Sequence, residues 1–473
     1  MKFSLAQFFP LLLLLLGSVA SAAAASNPPR LNVLHIVSDD LNDNLGAYGH
    51  PVVKTPNLDR LAARGVRFAR AYCNYPVCNP SRVSFLSGRR PDTTRVVTNE
   101  TPTRAYLSEV VFLPEFFRQQ GYRTIKVGKI FHTGPGDRFE DPRCWDVDIR
   151  ENDTAKKPPA RQILRKQGGG GIVLRAPDED TWDGFVARKA VALLEEAVAA
   201  GQPFYVAAGF RRPHTPYIAP EKYYALYHPD ALTPRFGPPE HLRKIPDLAL
   251  SYKLPKGPRF PTERPGDTMA AYYAAISFMD AQAGVLLDAL DRLNLWDRTV
   301  VVFHSDHGYH LGEHGGLWHK LNLFEETTHV PLIIAAPGRK PAVATGLVEL
   351  VDLYPTLVSL CGMKVPAGLE GTSFVPLLAQ PARAWKRAVF TVVSRDGVSF
   401  QPSKEYDPKY IGRTVFDGRR RYTAWPDGTA ELYDHQNDLY EYANLAAESA
   451  HQAEVAEMKK LLRDGWPAAL PAK

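Results

Sequence analysis

The sequence predicts an α/β protein with a large, mostly parallel sheet flanked by helices and a smaller C-terminal α+β subdomain. The first observation is a nearly continuous apolar run at residues 31–37, which is typical of a strand buried on both faces of a parallel sheet. The second is the alternation of such runs with amphipathic helical segments, which indicates helices on both faces of that sheet. The third is a change beyond about residue 378, where short segments separated by Gly-containing turns indicate antiparallel strands.

The alternating part is assigned to one large domain, residues 28–378. Its predicted helices span residues 55–64, 113–120, 182–199 and 269–293. Its further predicted strands span residues 122–127, 203–209, 299–303 and 330–336. Two stretches interrupt the pattern, and both are expected to line or cover a cleft. They are a polar stretch at residues 141–180 and a proline-rich stretch at residues 229–267.

The C-terminal subdomain is assigned to residues 379–473. We expect a small antiparallel sheet followed by one terminal helix. The predicted strands are residues 389–393, 413–416, 421–424 and 431–433, and the predicted helix is residues 448–462.

Residues 1–24 have the pattern of a secretory signal peptide. Lys2 supplies the positive charge, residues 8–16 form an apolar run, and small residues near Ala22 suit cleavage. The run is too short to cross a membrane, although an uncleaved anchor stays possible. We therefore predict export to the periplasm or the extracellular space, with no later membrane span.

Composition excludes some partners and leaves others open. The 473 residues carry a formal net charge of +6, which fits either a mixed solvated surface or a basic cleft for an anionic ligand. Basic residues are not clustered with interleaved aromatics, so we expect no nucleic-acid partner. The four cysteines allow three disulfide pairings, and the sequence does not choose between them.

Acidic residues lie just beyond the ends of two of the predicted strands. Asp39 and Asp40 end the first strand, and adjacent carboxylates attract a hard divalent cation, although such a pair in a loop is more often only solvated. Asp306 and His307 follow the strand at residues 299–303 and are positioned to complete the same metal site. Lys320 lies in the segment just after them.

The segment from Cys78 to Arg82 predicts an anion-binding position. We expect Ser81 to cap a helix that begins near Arg82, which places Cys78 just before a positive helix terminus. Arg82 adds a planar donor suited to an oxyanion. Taken alone, Cys78 is also compatible with a buried structural thiol.

Lys129 and His132 lie just past the strand at residues 122–127. A fixed ammonium and an imidazole there suit an oxyanion clamp and a proton-transfer group. Each of His132, His304, His307 and His314 is also compatible with a hydrogen-bonded structural role. Their position beside other polar groups at strand ends favours a functional site.

These segments together resemble the type I sulfatase family of the alkaline-phosphatase-like superfamily. Residues 78–88 resemble the first family signature and residues 121–132 the second, although Asn79 and Ser87 depart from the usual residues outside the Cys-x-Pro-x-Arg core. Further segments resemble the iduronate-2-sulfatase subgroup: residues 37–42, 88–95, 212–216, 305–308, 311–315 and 328–332. The resemblance covers nearly the whole chain after the signal peptide, and it implies an alkaline-phosphatase-like fold.

The resemblance also implies the cofactors. It implies that a sulfatase-maturing enzyme oxidises Cys78 to formylglycine. It implies one bound Ca²⁺ with the ligands Asp39, Asp40, Cys78, Asp306 and His307. Imidazole is a softer ligand than Ca²⁺ usually takes, so His307 is included on the resemblance alone.

The implied catalytic residues are Cys78, Arg82, Lys129, His132, His214 and Lys320. In this scheme one hydroxyl of hydrated formylglycine attacks the sulfur of a sulfate ester. Three cations neutralise the sulfate, namely Arg82, Lys129 and Lys320. His214 assists the leaving alcohol together with Lys320, and His132 accepts the proton of the second hydroxyl as sulfate is eliminated.

The resemblance implies a sulfuric ester hydrolase that acts on a sulfated carbohydrate. The predicted substrate is the 2-O-sulfate of iduronate or another uronate in glycosaminoglycan-like glycans. Another carbohydrate sulfatase, or a phosphoester or phosphonate hydrolase of the same superfamily, is an alternative. An inactive exported glycan-binding protein is disfavoured, because a binding protein has no need of the full residue set.

Overall fold

The computed structural model describes residues 30–134, 138–150, 163–250, 264–395 and 405–471. The predicted signal peptide lies outside the described residues, as do parts of both interrupting stretches, at residues 151–162 and 251–263. Among the described residues, no helix combines the length and apolarity that crossing a membrane requires.

The described strands and helices alternate over most of the chain. The strands are β1 (Asn32–Asp39), β2 (Val66–Phe68), β3 (Ala71–Tyr72), β4 (Arg123–Gly128), β5 (Val147–Ile149), β6 (Ile163–Gln167), β7 (Gly171–Leu174), β8 (Phe204–Pro213), β9 (Tyr217–Pro220), β10 (Thr299–Ser305), β11 (His329–Val330), β12 (Leu332–Ala335), β13 (Ala342–Ala344), β14 (Val348–Glu349), β15 (Val389–Ser394), β16 (Ile411–Phe416), β17 (Arg420–Ala424) and β18 (Ala430–Asp434). The helices are α1 (Pro56–Ala62), α2 (Cys78–Ser87), α3 (Pro91–Thr94), α4 (Leu113–Gln119), α5 (Trp182–Ala199), α6 (Glu221–Tyr224), α7 (His241–Lys244), α8 (Pro265–Arg292), α9 (Glu313–Gly316), α10 (Glu325–Thr328), α11 (Leu353–Leu360), α12 (Val375–Ala379) and α13 (Gln452–Asp464).

The main sheet has eight strands in the order β13-β2-β12-β10-β1-β8-β4-β5. Strand β1 lies at its centre and pairs in parallel with β10 and β8, and β4 pairs in parallel with β8 and β5. Strand β12 is antiparallel to both of its neighbours. The predicted mostly parallel sheet is therefore confirmed.

Helices cover both faces of this sheet, because the central strands direct apolar side chains to both faces. Leu34 and Ile36 of β1 belong to the core layer under α1, α5 and α8. Val33 and Val37 belong to the opposite layer, under α2, α4 and α11. A strand buried in this way reads as the continuous apolar run seen in the sequence.

The smaller C-terminal part is an antiparallel sheet in the order β15-β16-β17-β18. Helix α13 packs against it and buries Met458 beside Val415, Tyr422 and Leu432. Its predicted α+β character is confirmed, while the boundary at residue 379 stays a prediction.

Several elements differ in detail from their predicted bounds. The strand predicted at residues 330–336 is divided into β11 and β12 at Pro331, which has no N–H to donate to a ladder. Helix α8 begins four residues earlier than predicted, at Pro265, where proline is tolerated in the first turn. The polar stretch at residues 141–180 contributes ordered strands: β5 extends the main sheet, and β6 and β7 form a second sheet with β9.

Candidate active site

The carboxyl ends of four parallel strands bring the predicted site residues together. The register pairs Ser38 of β1 with Ser305 of β10, so Asp39 and Asp306 follow side by side. Lys129 follows β4 and His214 follows β8, which are the next strands on the other side of β1. Ligands of open α/β sheets bind at this edge, where loops leave the strands.

Helix α2 delivers Cys78 and Arg82 to the same edge. The helix begins at Cys78 and not near Arg82, so the expectation that Ser81 is its cap is wrong. Ser81 lies inside the helix, and its hydroxyl donates to the backbone oxygen of Asp306 at 2.5 Å. Cys78 therefore lies in the first turn, where unpaired N–H groups favour negative charge.

Cys78 is buried among groups of both charges. Its Sγ lies 3.2 Å from Nζ of Lys320, and 3.4 Å from Nε2 of His307. Burial and Asp39 act to raise the pKa of Cys78, but Lys129, Lys320 and a hydrogen bond from His214 outweigh them, so the net pKa lies well below its usual value. The surroundings of position 78 therefore stabilise an anion.

Three cations pair with three carboxylates around this position. Arg82 Nε donates to Asp306 Oδ2 at 2.8 Å, and its Nη2 donates to Asp39 Oδ1 at 3.3 Å. Lys129 Nζ lies 2.5 Å from Asp39 Oδ2, and Lys320 pairs with Asp40. All of these side chains are buried or nearly so, so each charge depends on its partner.

The donor set fits a divalent cation. Donor atoms of Asp39, Asp40, Cys78 and His307 all lie within 4.8 Å of one another, and all four residues are buried. His307 Nδ1 bonds to the Gly308 carbonyl oxygen at 2.9 Å, which leaves the lone pair of Nε2 directed at Asp40 Oδ1, 3.4 Å away. Outer hydrogen bonds of this kind orient metal-binding histidines.

Asp306 lies at the edge of this donor set. Its Oδ1 is 3.7 Å from Nε2 of His307 and accepts from the Asp40 N–H at 3.2 Å. Burial raises the pKa of Asp306 to about 6, against the effect of Arg82 and His307. Burial lowers the pKa of His307, but Asp306 outweighs it and brings it to about 9, so a proton competes with a metal ion for Nε2.

The two predicted proton-transfer residues are the more exposed members of the site. Burial, then the charge of Lys129, lowers the pKa of His132 to about 3, so its imidazole is neutral. Its Nδ1 has no hydrogen-bond partner among the described residues. His214 Nε2 lies 3.8 Å from Asp40 Oδ2, and its side chain is 26% exposed.

Two residues change the picture drawn from sequence. His304 lies outside the site, because its Nε2 contacts Nε2 of His35 at 2.7 Å inside the sheet.

Tyr272 of α8 supports the site from outside: its hydroxyl donates to the Asp40 carbonyl at 2.7 Å and accepts from the Asn42 N–H at 3.1 Å. The backbone of Asp40 is left-handed, with φ 63°, and these two contacts hold it in that conformation. A contact across more than two hundred residues leaves no local sequence signal.

The four cysteines are unbonded and buried. Burial raises the pKa of Cys73, Cys144 and Cys361, in contrast to the lowered pKa of Cys78. This contrast separates one anion-stabilising position from three inert thiols.

Comparison with known proteins agrees with this geometry. The family model described as sulfatase matches residues 31–363, most of the chain. The chain belongs to the sulfatase family. A second model, described as the C-terminal part of N-sulphoglucosamine sulphohydrolase, matches residues 312–465 of this sulfatase.

Individual relatives extend the comparison over most of the chain. Iduronate 2-sulfatase from Homo sapiens is 35% identical over 408 residues, which cover 76% of this chain and 74% of that protein. Choline-sulfatase from Rhizobium meliloti is 30% identical over 442 residues, or 88% of this chain and 82% of that protein. These relationships make the protein a sulfuric ester hydrolase.

A solved structure confirms the architecture. The phosphonate monoester hydrolase of Agrobacterium radiobacter superposes with a TM-score of 0.79 at 24% identity, covering 93% of this chain and 96% of that one. At this identity the likeness shows the fold, which is the predicted alkaline-phosphatase-like fold.

Replacing Tyr272 by phenylalanine tests its support of Asp40. Loss of the hydroxyl leaves a buried carbonyl and a buried N–H unpaired, so we expect the free energy of unfolding to fall by about 1–3 kcal/mol. We also expect a lower kcat on an aryl sulfate, because Asp40 is held less firmly. Denaturant unfolding and steady-state kinetics measure both quantities. Tyr106→Phe, at a 47% exposed position, is the control, and equal effects in the two variants would contradict this role.

Proposed function

We propose that this sulfatase hydrolyses the 2-O-sulfate of iduronate or a related uronate in glycosaminoglycan-like glycans, with formylglycine at position 78 and one bound Ca²⁺. The observation that carries the proposal is the position of Cys78, in the first turn of α2, against Lys320 and the carboxylate–imidazole cluster. The relationship to human iduronate 2-sulfatase supports the choice of sugar.

The proposed metal ligands are Asp39, Asp40, Asp306 and His307, together with the modified residue 78. Carboxylate oxygens are the ligands that hard cations such as Ca²⁺ prefer. When bound, Ca²⁺ supplies positive charge that lowers the pKa of a neighbouring hydroxyl and polarises a sulfate oxygen. The chain itself holds Asp39 and Asp306 for this task through Arg82, which contacts both carboxylates.

Formylglycine at position 78, as its hydrate, would supply two hydroxyls, one to attack sulfur and a second whose deprotonation would release sulfate. An unmodified cysteine or a serine has no second hydroxyl and lacks this route of release. A sulfatase-maturing enzyme is therefore a required partner, together with the sulfated carbohydrate itself. We also propose that the protein is exported, with residues 1–24 as its signal peptide.

Three cations bind the sulfate group in this scheme. Lys129 and Lys320 are the cations that lower the pKa of the side chain at position 78, and Arg82 is fixed beside them by the Lys129 and Ile130 carbonyl oxygens at 2.7 and 3.0 Å. Their charges are in place before substrate arrives, so little reorganisation is needed as negative charge develops.

His214 and His132 divide the proton transfers. His214 Nδ1 contacts the Thr215 carbonyl at 2.6 Å, which leaves Nε2 facing Asp40 and, with Lys320, available to the leaving alcohol. His132, whose Nδ1 has no hydrogen-bond partner among the described residues, is the proposed acceptor of the proton of the second hydroxyl.

A panel of substrates tests the proposed specificity. We expect kcat/KM on a disaccharide with uronate 2-O-sulfate to exceed that on its glucosamine 6-O-sulfate isomer by about 100-fold or more. A site whose polar groups bind a substrate sulfated at one position leaves those groups unpaired when the sulfate is at the other position. Sulfate release by ion chromatography is the measurement, with Cys78→Ala as the inactive control.

Each other outcome of these assays would assign a different function to the protein. Preference for the 6-O isomer would make the chain another carbohydrate sulfatase. Turnover of a phosphonate monoester in place of both sulfates would make it a phosphonate hydrolase. Glycan binding without sulfate release, in protein that carries formylglycine, would make it a binding protein.

The leaving group reports on His214. We expect His214→Asn to lower kcat on a sugar sulfate by about 100-fold or more, since an alkoxide needs a proton as it leaves. The same variant should act almost normally on 4-nitrophenyl sulfate, whose phenolate leaves without one. His228→Asn, at an exposed position, is the control. Equal losses on both substrates would assign His214 to binding and not to proton donation.

A further inference from the structure

A second group of metal-binding side chains lies on the loop that carries Lys320. It consists of His310, His314 and Glu326, which we term the loop cluster, and their donor atoms lie within 4.8 Å of one another. Both histidines are fully buried, and the Glu326 side chain is 13% exposed. The loop cluster shares no residue with the proposed Ca²⁺ site.

The distances in the loop cluster suit a tetrahedral ion. Metal–ligand bonds of 2.0–2.1 Å in a tetrahedron separate the ligand atoms by about 3.3 to 3.4 Å. Nε2 of His314 is 3.2 Å from Oε2 of Glu326, and Nδ1 of His310 is 3.9 Å from the same oxygen. Oε2 of Glu313 lies 3.5 Å from Nδ1 of His310, while Oε1 of the same carboxylate lies 3.8 Å from Arg235.

Hydrogen bonds around His314 turn a lone pair towards Glu326. His241 Nδ1 donates to the Tyr442 carbonyl at 2.7 Å, so Nε2 of a neutral His241 is an acceptor. Nδ1 of His314 donates to that nitrogen at 2.8 Å, which leaves Nε2 of His314 unprotonated. Phe324 stacks on the His314 ring with centroids 3.8 Å apart and fixes its orientation.

His310 presents a lone pair to the same point. Its Nε2 contacts Oδ1 of Asn322 at 2.9 Å, and a carbonyl oxygen only accepts, so the proton of a neutral His310 is on Nε2. Its Nδ1 is buried and has no hydrogen-bond partner among the described residues. An unpartnered acceptor that faces carboxylates is costly unless a cation or a proton lies between them.

Other carboxylate clusters of the fold are neutralised by arginine. Arg421 contacts both Glu325 and Glu441 beside His435. Arg104 contacts both Glu115 and Asp141, whose donor atoms lie beside Cys144. Within the part of the chain that the structure describes, no lysine or arginine forms an ion pair with Glu326. The loop cluster therefore has ligand atoms directed inward and no side-chain cation of that kind.

Glu326 connects the loop cluster to solvent. With Glu313 it lines a cavity of about 970 Å³, with Arg235 and Tyr440 on its wall. None of the residues proposed for catalysis or for Ca²⁺ lines this cavity.

We propose that His310, His314 and Glu326 bind a second metal ion of the Zn²⁺ type, which fixes the loop that holds Lys320 against Cys78. Two imidazoles and a carboxylate suit Zn²⁺, whereas the carboxylate-rich catalytic cluster suits Ca²⁺. The ion joins residues 310 and 326, and Lys320 lies between them. The His310 N–H also donates to the His319 carbonyl at 2.9 Å, so the fixed segment adjoins Lys320 directly.

Metal stoichiometry in the full-length protein tests this site. Protein stripped with EDTA is dialysed against Zn²⁺ with excess Ca²⁺, and bound zinc is counted by mass spectrometry of the elements. We expect one Zn²⁺ per chain in the wild type and in Asp40→Asn, which alters only the catalytic cluster. We expect none in His310→Gln or in Glu326→Gln. In His451→Gln, which changes a half-buried histidine 2.6 Å from Glu454, zinc should be retained.

A second readout uses the wild type alone, so that the result does not depend on whether a variant folds. Co²⁺ in the loop cluster should give the intense visible absorption of a tetrahedral site, and the signal should disappear on addition of Zn²⁺ but not of Ca²⁺. Absence of stoichiometric zinc and of this signal in the wild type would overturn the proposal, with a shared proton in place of the ion. Zinc lost in Asp40→Asn but kept in Glu326→Gln would overturn it as well. Both readouts measure bound metal and not sulfate release, so failure of this proposal is distinguishable from failure of the proposed function.

Discussion

Three carboxylates and three cations are buried together where the strands of the main sheet end, and much of the surrounding structure follows from that constraint. Asp39, Asp40 and Asp306 are almost fully buried, as are Arg82, Lys129 and Lys320. Removing one member of such a buried pair costs about 3–5 kcal/mol, because its partner is left uncompensated. The register of the sheet, the position of α2 and the path of the loop that carries Lys320 must therefore bring these six charged groups together accurately.

The same constraint couples stability to chemistry. Arg82 spans two strand ends through Asp39 and Asp306, so the guanidinium that is proposed to bind sulfate also holds the two carboxylates in register. His132 and His214 lie at the edge of this network and are more exposed than its members. The site thus has a rigid charged base and two histidines at its more exposed side.

The sequence predicted the parts of this arrangement that depend on strand order. Asp39 and Asp306 come shortly after apolar runs, and parallel pairing places the ends of such runs side by side. The predicted start of α2 was wrong by four residues, because Ser81 was expected to cap the helix. Ser81 instead lies within the helix, and its hydroxyl donates to the Asp306 carbonyl. Local cap preference was overridden by a tertiary hydrogen bond.

Other features depend on contacts that no local pattern records. Tyr272 supports Asp40 from α8, and His304 is drawn into a pair with His35 although it precedes Asp306 by only two positions. The loop cluster likewise joins His310 to His314 of α9 and Glu326 of α10. His241 of α7 and the Tyr442 carbonyl orient it from outside. Each of these contacts depends on the direction in which a side chain points, and that direction is set by the folded chain and not by the local sequence.

The central claim is that position 78 carries the nucleophile of a sulfatase. Its most direct test is mass spectrometry of the proteolytic peptide that contains residue 78, from protein made in its native host. The account predicts the mass of formylglycine in place of cysteine at that residue. An unmodified Cys78, in a host that matures its other sulfatases, would contradict the account.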